Sequence, residues 1–524
     1  MKLNRRSFLK GAAASGLFVA AGLTGCAPQP ASNSSSPSTK TDEEGAAGHT
    51  WDTKPPEITE ISQTEDYEVV VVGAGIAGIN AFEAASEAGA KTLLIEQAEK
   101  LTAHGAYNGC IGAKIQLDEG INIDPEEAVR LMYRFSQQIV NLDLLRTWAY
   151  RSGEVMDHII DLAASKGVNA TIAVGQTAKG DWNTNPEPWR EFRTSLFFNT
   201  TGNLGNADES GNYPETYLLN ALAEIGEEHG GTIRYKMKAE QLVGDATSGI
   251  SGVIARAEDG SYVQFNASKG VILATGDISG NKEMLDMWAP IASGADTCFY
   301  FPEGGNNGDG LLMGKWIGAG LSKAPAAPMI HPYSLTLPLT ALDQSWLAVN
   351  KYGNRYGCEV PYEPFITNSR IVQPDGLGWS VFDSNYAEHV KKQHPDSWED
   401  ILREAEALME SAIASGELHK AETLEELADS LGIPADNFVK TVERYNGYCE
   451  SGKDLEFDTP ERFLSSVKEP PFFAGLVPTN MLCVPFGLHV DRNSQVCTDD
   501  DRPIKGLYAI GNVQGDFFAF SYPV

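Results

Sequence analysis

The sequence predicts an α/β fold built on a parallel sheet, with a second, α+β domain inserted into the first. Residues 68–72 have the pattern of a buried strand and are followed by a glycine-rich turn and a helix-like stretch. Two further units of strand plus glycines occur at 270–280 and 506–515. Between them, residues 326–484 combine aromatic-rich loops with amphipathic helices such as 397–415. We therefore predict an inserted domain whose two ends return to the same sheet.

Composition restricts the class of protein. The chain has 524 residues, of which 42% are apolar and 21% charged, and this excludes a fibrous or wholly disordered protein. Acidic residues exceed basic residues by 71 to 40, which gives a formal net charge of −31. A surface this acidic repels phosphate backbones, so we predict no nucleic-acid partner.

The first 65 residues have the composition of a targeting signal and a tether. Arg5 and Arg6 precede an apolar stretch that is too short and glycine-rich for a membrane span, and the pattern resembles a twin-arginine export signal. Residues 23–26 resemble a lipobox ending at Cys26, the alternative being an ordinary cleavage site. Residues 27–65 are rich in Ser, Pro and acids and predict a flexible tether. We expect an exported protein, lipid-anchored to the cell membrane by residues 1–26.

A dinucleotide-binding turn follows the first predicted strand. Residues 73–78 have the pattern G-x-G-x-x-G, in which the glycines allow a tight turn, a close approach of a pyrophosphate and close packing of helix on strand. An acid at the end of the next strand, about 20 residues further on, is placed to bind a ribose hydroxyl. The predicted nucleotide contacts here are Gly73, Gly75, Ile76, Ala77, Gly78, Glu96 and Gln97.

The later motifs decide between FAD and NAD. The motifs are TAHGAYNGCIGA (102–113), ILATGDISGNKEM (272–284), NNGDGLLMGKWIGAG (306–320), MIHP (329–332) and VNKYGNRYG (349–357). With them, the chain from residue 67 onward resembles the fumarate reductase/3-ketosteroid dehydrogenase family of FAD enzymes. The resemblance implies further FAD contacts at His104, Gly105, Asn108, Gly109, Ala274, Thr275, Gly276, Asp309, Gly511 and Asn512. Whether His104 binds FAD covalently is left open.

The resemblance also implies an architecture and a chemistry. It implies a Rossmann-like FAD-binding domain over 66–325 and 485–524 and a capping domain over 326–484. It implies a further helix after the Tyr-Pro step, with its N-terminus towards the flavin. The family transfers hydride to or from a carbon–carbon double bond beside an electron-withdrawing group.

The substrate-binding positions depart from those of a fumarate reductase. His331 matches a substrate-binding histidine of the family, but Glu363 lies where its catalytic arginine is expected, with Arg370 as the nearest alternative. Cys483 and Tyr522 align with a further histidine and arginine. Tyr522 and Pro523 instead resemble the ketosteroid dehydrogenases, whose phenol donates to a carbonyl oxygen. We therefore predict a small enone or enoate-type substrate rather than fumarate.

The electron donor is predicted to be a separate protein. The sequence contains no C-x-x-C-H haem motif and no second nucleotide-binding turn, so we expect a cytochrome or a quinol oxidoreductase as partner. The cysteines show no metal-ligand spacing, and no metal is predicted. One alternative is a 3-ketosteroid-type dehydrogenase working in the oxidative direction, with Tyr333, Tyr356 or Tyr362 as its cap tyrosine. The other is a non-catalytic FAD-binding lipoprotein.

Overall fold

The computed structural model describes residues 50–101, 107–172, 192–199, 214–298, 305–332, 334, 336–339, 344–360, 363–395 and 398–522. Its strands are β1 Ile61–Val72, β2 Thr92–Ile95, β3 Asn108–Gly109, β4 Asn169–Ile172, β5 Ser195–Asn199, β6 Thr232–Arg234, β7 Met237–Asp245, β8 Gly249–Ala257, β9 Tyr262–Leu273, β10 Thr297–Cys298, β11 Met329–His331, β12 Leu347–Asn350, β13 Gly378–Phe382, β14 Leu418–Ala421, β15 Phe472–Leu476, β16 Asn480–Cys483, β17 Gln495–Cys497 and β18 Pro503–Ala509. Its helices are α1 Ile76–Glu87, α2 Lys114–Asp118, α3 Pro125–Phe135, α4 Leu142–Ser165, α5 Pro214–Glu228, α6 Lys282–Trp288, α7 Asp309–Trp316, α8 Glu363–Ile371, α9 Tyr386–Gln393, α10 Trp398–Ser415, α11 Leu424–Leu431 and α12 Ala435–Ser451.

The largest sheet has the predicted parallel core. Its strand order is β17-β18-β9-β1-β2-β6, with β8 pairing β9 and β7 pairing β8. The pairs β18–β9, β9–β1, β1–β2 and β2–β6 are all parallel. Val70 and Val71 of β1 are fully buried, as expected of a central strand covered on both faces. The predicted α/β class is confirmed.

The first strand is longer than its sequence pattern indicated. The prediction began at residue 68, whereas β1 begins at Ile61. Its first half pairs with the start of β9 and is largely exposed, so it contains polar residues and lacks the buried pattern.

A second sheet lies, in sequence, between β9 and β18. It is antiparallel in the order β12-β13-β15-β14, and α11 and α12 share a hydrophobic core with it. The helix predicted at 397–415 is observed as α10. The domain boundaries at 326 and 484 stay predictions.

A small sheet positions the residues predicted to contact substrate. It has the order β10-β16-β11, with β11 antiparallel and β10 parallel to β16. The hydroxyl of Thr367 in α8 donates to the Ile330 carbonyl at 2.9 Å, which fastens α8 to β11. Among the described helices, none combines the length and apolar character needed to cross a bilayer.

Candidate active site

Three glycine segments meet at the carboxyl edge of the parallel sheet. Because β1, β9 and β18 run in parallel, the turns that follow them lie side by side. The Ala274 amide donates to the Val72 carbonyl at 2.8 Å and the Ile510 amide to the Leu273 carbonyl at 2.9 Å. A Cβ on Gly511 would lie 3.0 Å from the Ala77 side chain, so the third segment packs on the start of α1. This edge is where open α/β sheets bind nucleotides.

The turn after β1 fits a pyrophosphate. Gly73 has φ +100°, and a Cβ on Gly78 would lie 1.9 Å from the Gly73 carbonyl oxygen, so both positions require glycine. Gly75 caps α1 without a side-chain hydrogen bond, and a Cβ there would meet no atom of the described residues within 4 Å. Open space in front of a helix N-terminus, with backbone N–H groups directed into it, suits an anionic ligand.

The carboxylate of Glu96 is already bonded to the backbone. It accepts from the Ala74 amide at 2.7 Å and from the Ala98 amide at 2.8 Å, and Gln97 beside it is exposed. Glu96 therefore fixes the glycine turn against β2. Its contact with a ribose hydroxyl, like the roles of Gln97 and Ile76, stays a prediction.

The second and third segments present further polar groups. The Thr275 hydroxyl is buried and makes no hydrogen bond to any described residue. Gly276 has φ +76°, and a Cβ on it would lie 1.8 Å from the Asn306 side-chain oxygen. Asp309 begins α7 and forms an ion pair of 3.2 Å with Lys238. Asn512 follows Gly511 in a single 3-10 turn. A buried hydroxyl without a protein partner fits a cofactor-binding position.

The segment 102–113 is described only from Tyr107 onward, so His104 and Gly105 lie outside the described residues. Asn108 in β3 donates to both carboxylate oxygens of Glu215, at 3.1 and 2.9 Å. Glu215 is 2% exposed, and burial raises its pKa to about 7 although the bond from Asn108 lowers it. The Gly109 carbonyl accepts from the Trp148 indole at 3.1 Å. Asn108 is thus held in place by an acid that the sequence did not single out.

Two predicted substrate contacts lie on neighbouring strands. His331 ends β11 and is paired in register with Asn480, while Cys483 ends β16 opposite Met329. The Cys483 thiol is 3.9 Å from the Met329 sulfur, and burial raises its pKa well above the usual value. Cys483 is therefore an uncharged thiol where the family resemblance implies a histidine.

Tyr522 comes close to this sheet. Its ring lies 4.4 Å, centroid to centroid, from Phe518, and burial raises the pKa of its phenol, with a smaller contribution from Cys483. The phenol therefore stays protonated at neutral pH and can donate a hydrogen bond. Pro523 lies outside the described residues.

Arg370 is engaged within the protein. Its guanidinium is 3% exposed and donates to Asp296 at 2.9 Å and to the Thr479 hydroxyl at 3.0 Å. Its Nε and the nearby hydroxyl of Tyr356 are buried and make no hydrogen bond to a described residue. The charge of Arg370 is balanced by Asp296.

Glu363 and Arg370 both lie on the continuous helix α8. They are separated by about two turns, or about 10 Å along the axis. The side chain of Glu363, like Tyr333 and Tyr362, lies outside what the structure describes.

Two ion-pair clusters, one buried around Arg355 and one partly buried around His489, were not predicted from the sequence. Arg355 is bonded to both Glu359 and Asp454 through two N–H···O contacts each, of 2.6 to 2.8 Å. His489 lies between Asp516 and Asp501, at 2.5 and 2.7 Å. The only sequence feature that pointed to either cluster was Arg355 in the motif VNKYGNRYG. Its partner Asp454 lies 99 residues further along the chain.

Comparison with known proteins identifies the family. The model of the FAD binding domain family matches residues 68–523. The chain belongs to this family. It is an FAD-dependent oxidoreductase, as predicted, and membership favours an enzyme over the non-catalytic alternative. When bound, the flavin supplies hydride and electron transfer, and the residues at the sheet edge would hold it.

The relatives include reductases and dehydrogenases. The chain is 25% identical over 472 residues to a probable fumarate reductase of Shewanella frigidimarina, covering 87% of this chain and 71% of the relative. It is 22% identical over 503 residues to a vinyl phenol reductase of Lactiplantibacillus plantarum, covering 88% of this chain and 94% of the relative. Its fold is similar to that of a 3-ketosteroid dehydrogenase of Rhodococcus jostii, with a TM-score of 0.69 and 23% identity. The match covers 89% of this chain and 94% of the dehydrogenase.

Proposed function

We propose that this protein is an exported, lipid-anchored, FAD-dependent reductase of a carbon–carbon double bond activated by an uncharged, carbonyl-type group. Electrons come from an external redox partner. The observation that supports the substrate class is the absence of uncompensated positive charge at Tyr522, Cys483 and Arg370 in the described site. Tyr522 and Cys483 are neutral, and Arg370 is paired with Asp296.

Tyr522 is the proposed donor to the activating oxygen. Negative charge grows on that oxygen as the double bond is reduced, and a neutral phenol close by stabilises it without a charged partner. A dicarboxylate in the same place would bury charge that these side chains do not balance. One such uncompensated contact costs about 2–5 kcal/mol, so the loss of several contacts slows fumarate turnover by more than about a thousandfold.

The test is anaerobic turnover with reduced methyl viologen by the flavin-loaded chain. The substrates are fumarate, a cyclic enone, 4-vinylphenol and a 3-keto-4-ene steroid. We expect the enone or the ketosteroid to be reduced fastest and fumarate to be slow. Fumarate as the best substrate would contradict the proposal. Oxidation of a ketosteroid with an artificial acceptor, without reduction of any alkene, would favour the dehydrogenase alternative.

Tyr522→Phe tests the donor directly. The ring and its packing on Phe518 remain while the hydroxyl is lost, so kcat should fall by about 10²–10³ with flavin content unchanged. Tyr67→Phe, a partly buried tyrosine whose hydroxyl bonds Glu65 away from the site, is the matched control and should leave kcat unaltered. Unchanged kcat in Tyr522→Phe would make this tyrosine a packing residue.

The proposed export and anchoring rest on the sequence of residues 1–26. Substituting both Arg5 and Arg6 with Lys should leave the flavin-loaded protein in the cytoplasm, and Cys26→Ser should release exported protein from the membrane. Continued labelling of Cys26→Ser by a radioactive fatty acid would refute the anchor.

A further inference from the structure

Four potential metal ligands come together on helices of the FAD-binding region, away from the candidate active site. Glu83 and Glu87 are one turn apart at the end of α1. His158 lies on α4, and His229 follows the last residue of α5. Two helices and the turn that follows a third thus contribute side chains to one cluster.

The separations suit a small cation. His158 Nε2 is 3.1 Å from Glu87 Oε2, and His229 Nδ1 is 3.7 Å from Glu83 Oε1. One ligand atom each from Glu83, Glu87 and His158 lies within 4.8 Å of the other two. Tetrahedral zinc with bonds of about 2.0–2.2 Å places neighbouring ligand atoms about 3.3–3.6 Å apart. The two pair distances, 3.1 and 3.7 Å, lie on both sides of that value.

Glu83 provides an independent indication of a missing partner. It is 3% exposed, and its Oε1 accepts no hydrogen bond from any residue that the structure describes. A buried carboxylate oxygen without a donor is costly, and the second carboxylate, Glu87, adds repulsion. A divalent cation between the two acids would satisfy both.

We propose that Glu83, Glu87, His158 and His229 form a Zn²⁺ site that links α1, α4 and α5. Two imidazoles and two carboxylates form a mixed nitrogen and oxygen set that zinc accepts, whereas Mg²⁺ and Ca²⁺ prefer oxygen ligands alone. Glu87, His158 and His229 are each about half exposed, so the ion enters from solvent. The ion is structural: it fixes the far end of the helix whose N-terminus faces the predicted pyrophosphate.

The experiment uses the flavin-loaded full chain without an affinity tag, treated with EDTA and then dialysed. Titration calorimetry with ZnCl₂ should show one tight equivalent, and Co²⁺ should give the visible absorption of a tetrahedral site. His158→Gln and Glu83→Gln should each weaken zinc binding at least about tenfold, since loss of even an outer partner costs that much. His419→Gln, which changes a histidine on β14, should bind zinc as the unmodified chain does.

Zinc should also raise the thermal midpoint of the unmodified chain and of His419→Gln but not of His158→Gln. The proposal is overturned if the unmodified chain binds no zinc, or if His158→Gln and Glu83→Gln bind it with the affinity of the unmodified chain. Far-ultraviolet circular dichroism before the titration shows that each variant is folded. The result is independent of the substrate proposed above.

Discussion

His489 lies at the base of the loop that contains Tyr522, between two carboxylates. Its Nδ1 is 2.5 Å from Asp516 and its Nε2 2.7 Å from Asp501. A neutral imidazole can donate to one carboxylate only, whereas an imidazolium donates to both. The pKa of His489 is raised, because the hydrogen bond with Asp516 outweighs burial, which lowers the pKa. The hydrogen bond with Asp501 raises the pKa further, and the charge of Lys323 lowers it. The site therefore favours a charged His489.

The two contacts should contribute unequally to stability. The side chain of Asp516 is 4% exposed and that of Asp501 is 69% exposed. A buried hydrogen bond to a charged group contributes about 1.5–3 kcal/mol, and an exposed ion pair about 0–1 kcal/mol. Removing the imidazole leaves Asp516 Oδ2 without this donor, while Oδ1 still accepts from the Lys323 amide at 2.7 Å. We therefore expect His489→Leu to lower the free energy of unfolding by about 1.5–3 kcal/mol, and Asp501→Asn by about 0–1 kcal/mol.

The loss should depend on pH. Because the pKa of His489 is raised in the folded protein, its contribution is complete below the ordinary value of about 6.5 and disappears as the pH rises through the folded-state pKa. Urea unfolding followed by circular dichroism, from about pH 5.5 to about pH 9.5, measures this. The difference between the unmodified chain and His489→Leu should shrink towards alkaline pH. A difference that stays constant over the whole range would show that His489 is neutral and only packs.

Three further changes test other parts of the structure. Gly75→Val should abolish FAD binding, because its side chain fills the space before α1, whereas Gly447→Val on α12, where a Cβ is equally unhindered, should retain flavin absorbance. Arg355→Met should lower the free energy of unfolding by about 3–5 kcal/mol in urea titrations, since it leaves two buried carboxylates unpaired; a loss below about 1 kcal/mol would refute this. Burial raises the pKa of Glu215 to about 7, so ionising it costs more in the folded than in the unfolded chain. The unmodified chain should therefore lose about 3 kcal/mol of stability relative to Glu215→Gln as the pH rises from about 4.3 to about 7. Parallel pH profiles of stability for the two proteins would refute this prediction.

The nucleotide edge could be predicted from sequence because its signals are local. Within 73–78, Gly73 has a positive φ and a Cβ on Gly78 would meet the Gly73 carbonyl oxygen, so these two glycines have reasons that operate over a few residues, and the neighbouring strands are short apolar runs. The second and third segments repeat that local pattern, which is why the parallel sheet was predicted correctly.

The polar clusters could not be predicted, because their members are far apart in the sequence and have no shared motif. Arg355 meets Asp454 only after the chain has passed through α8 to α12, and His489 meets Asp516 across β17 and β18. The alignment of Glu363, or alternatively Arg370, with the family's catalytic arginine stays a prediction. A gapless count contains no information about a helix, and both residues lie on α8.

Arg370 shows how the structure changes the interpretation of a residue found by sequence alone. An arginine near a substrate site suggests a carboxylate ligand, because the guanidinium matches it in charge and shape. In this fold, however, Asp296 occupies the Nη1 side of Arg370 and is itself held by the Thr479 amide at 3.2 Å. A carboxylate substrate that shares the arginine with Asp296 places two negative charges on one buried cation, and one that displaces Asp296 breaks its bonds to Arg370 and to the Thr479 amide. An uncharged carbonyl group meets no such repulsion. The charge balance around α8 therefore favours an uncharged activating group independently of Tyr522.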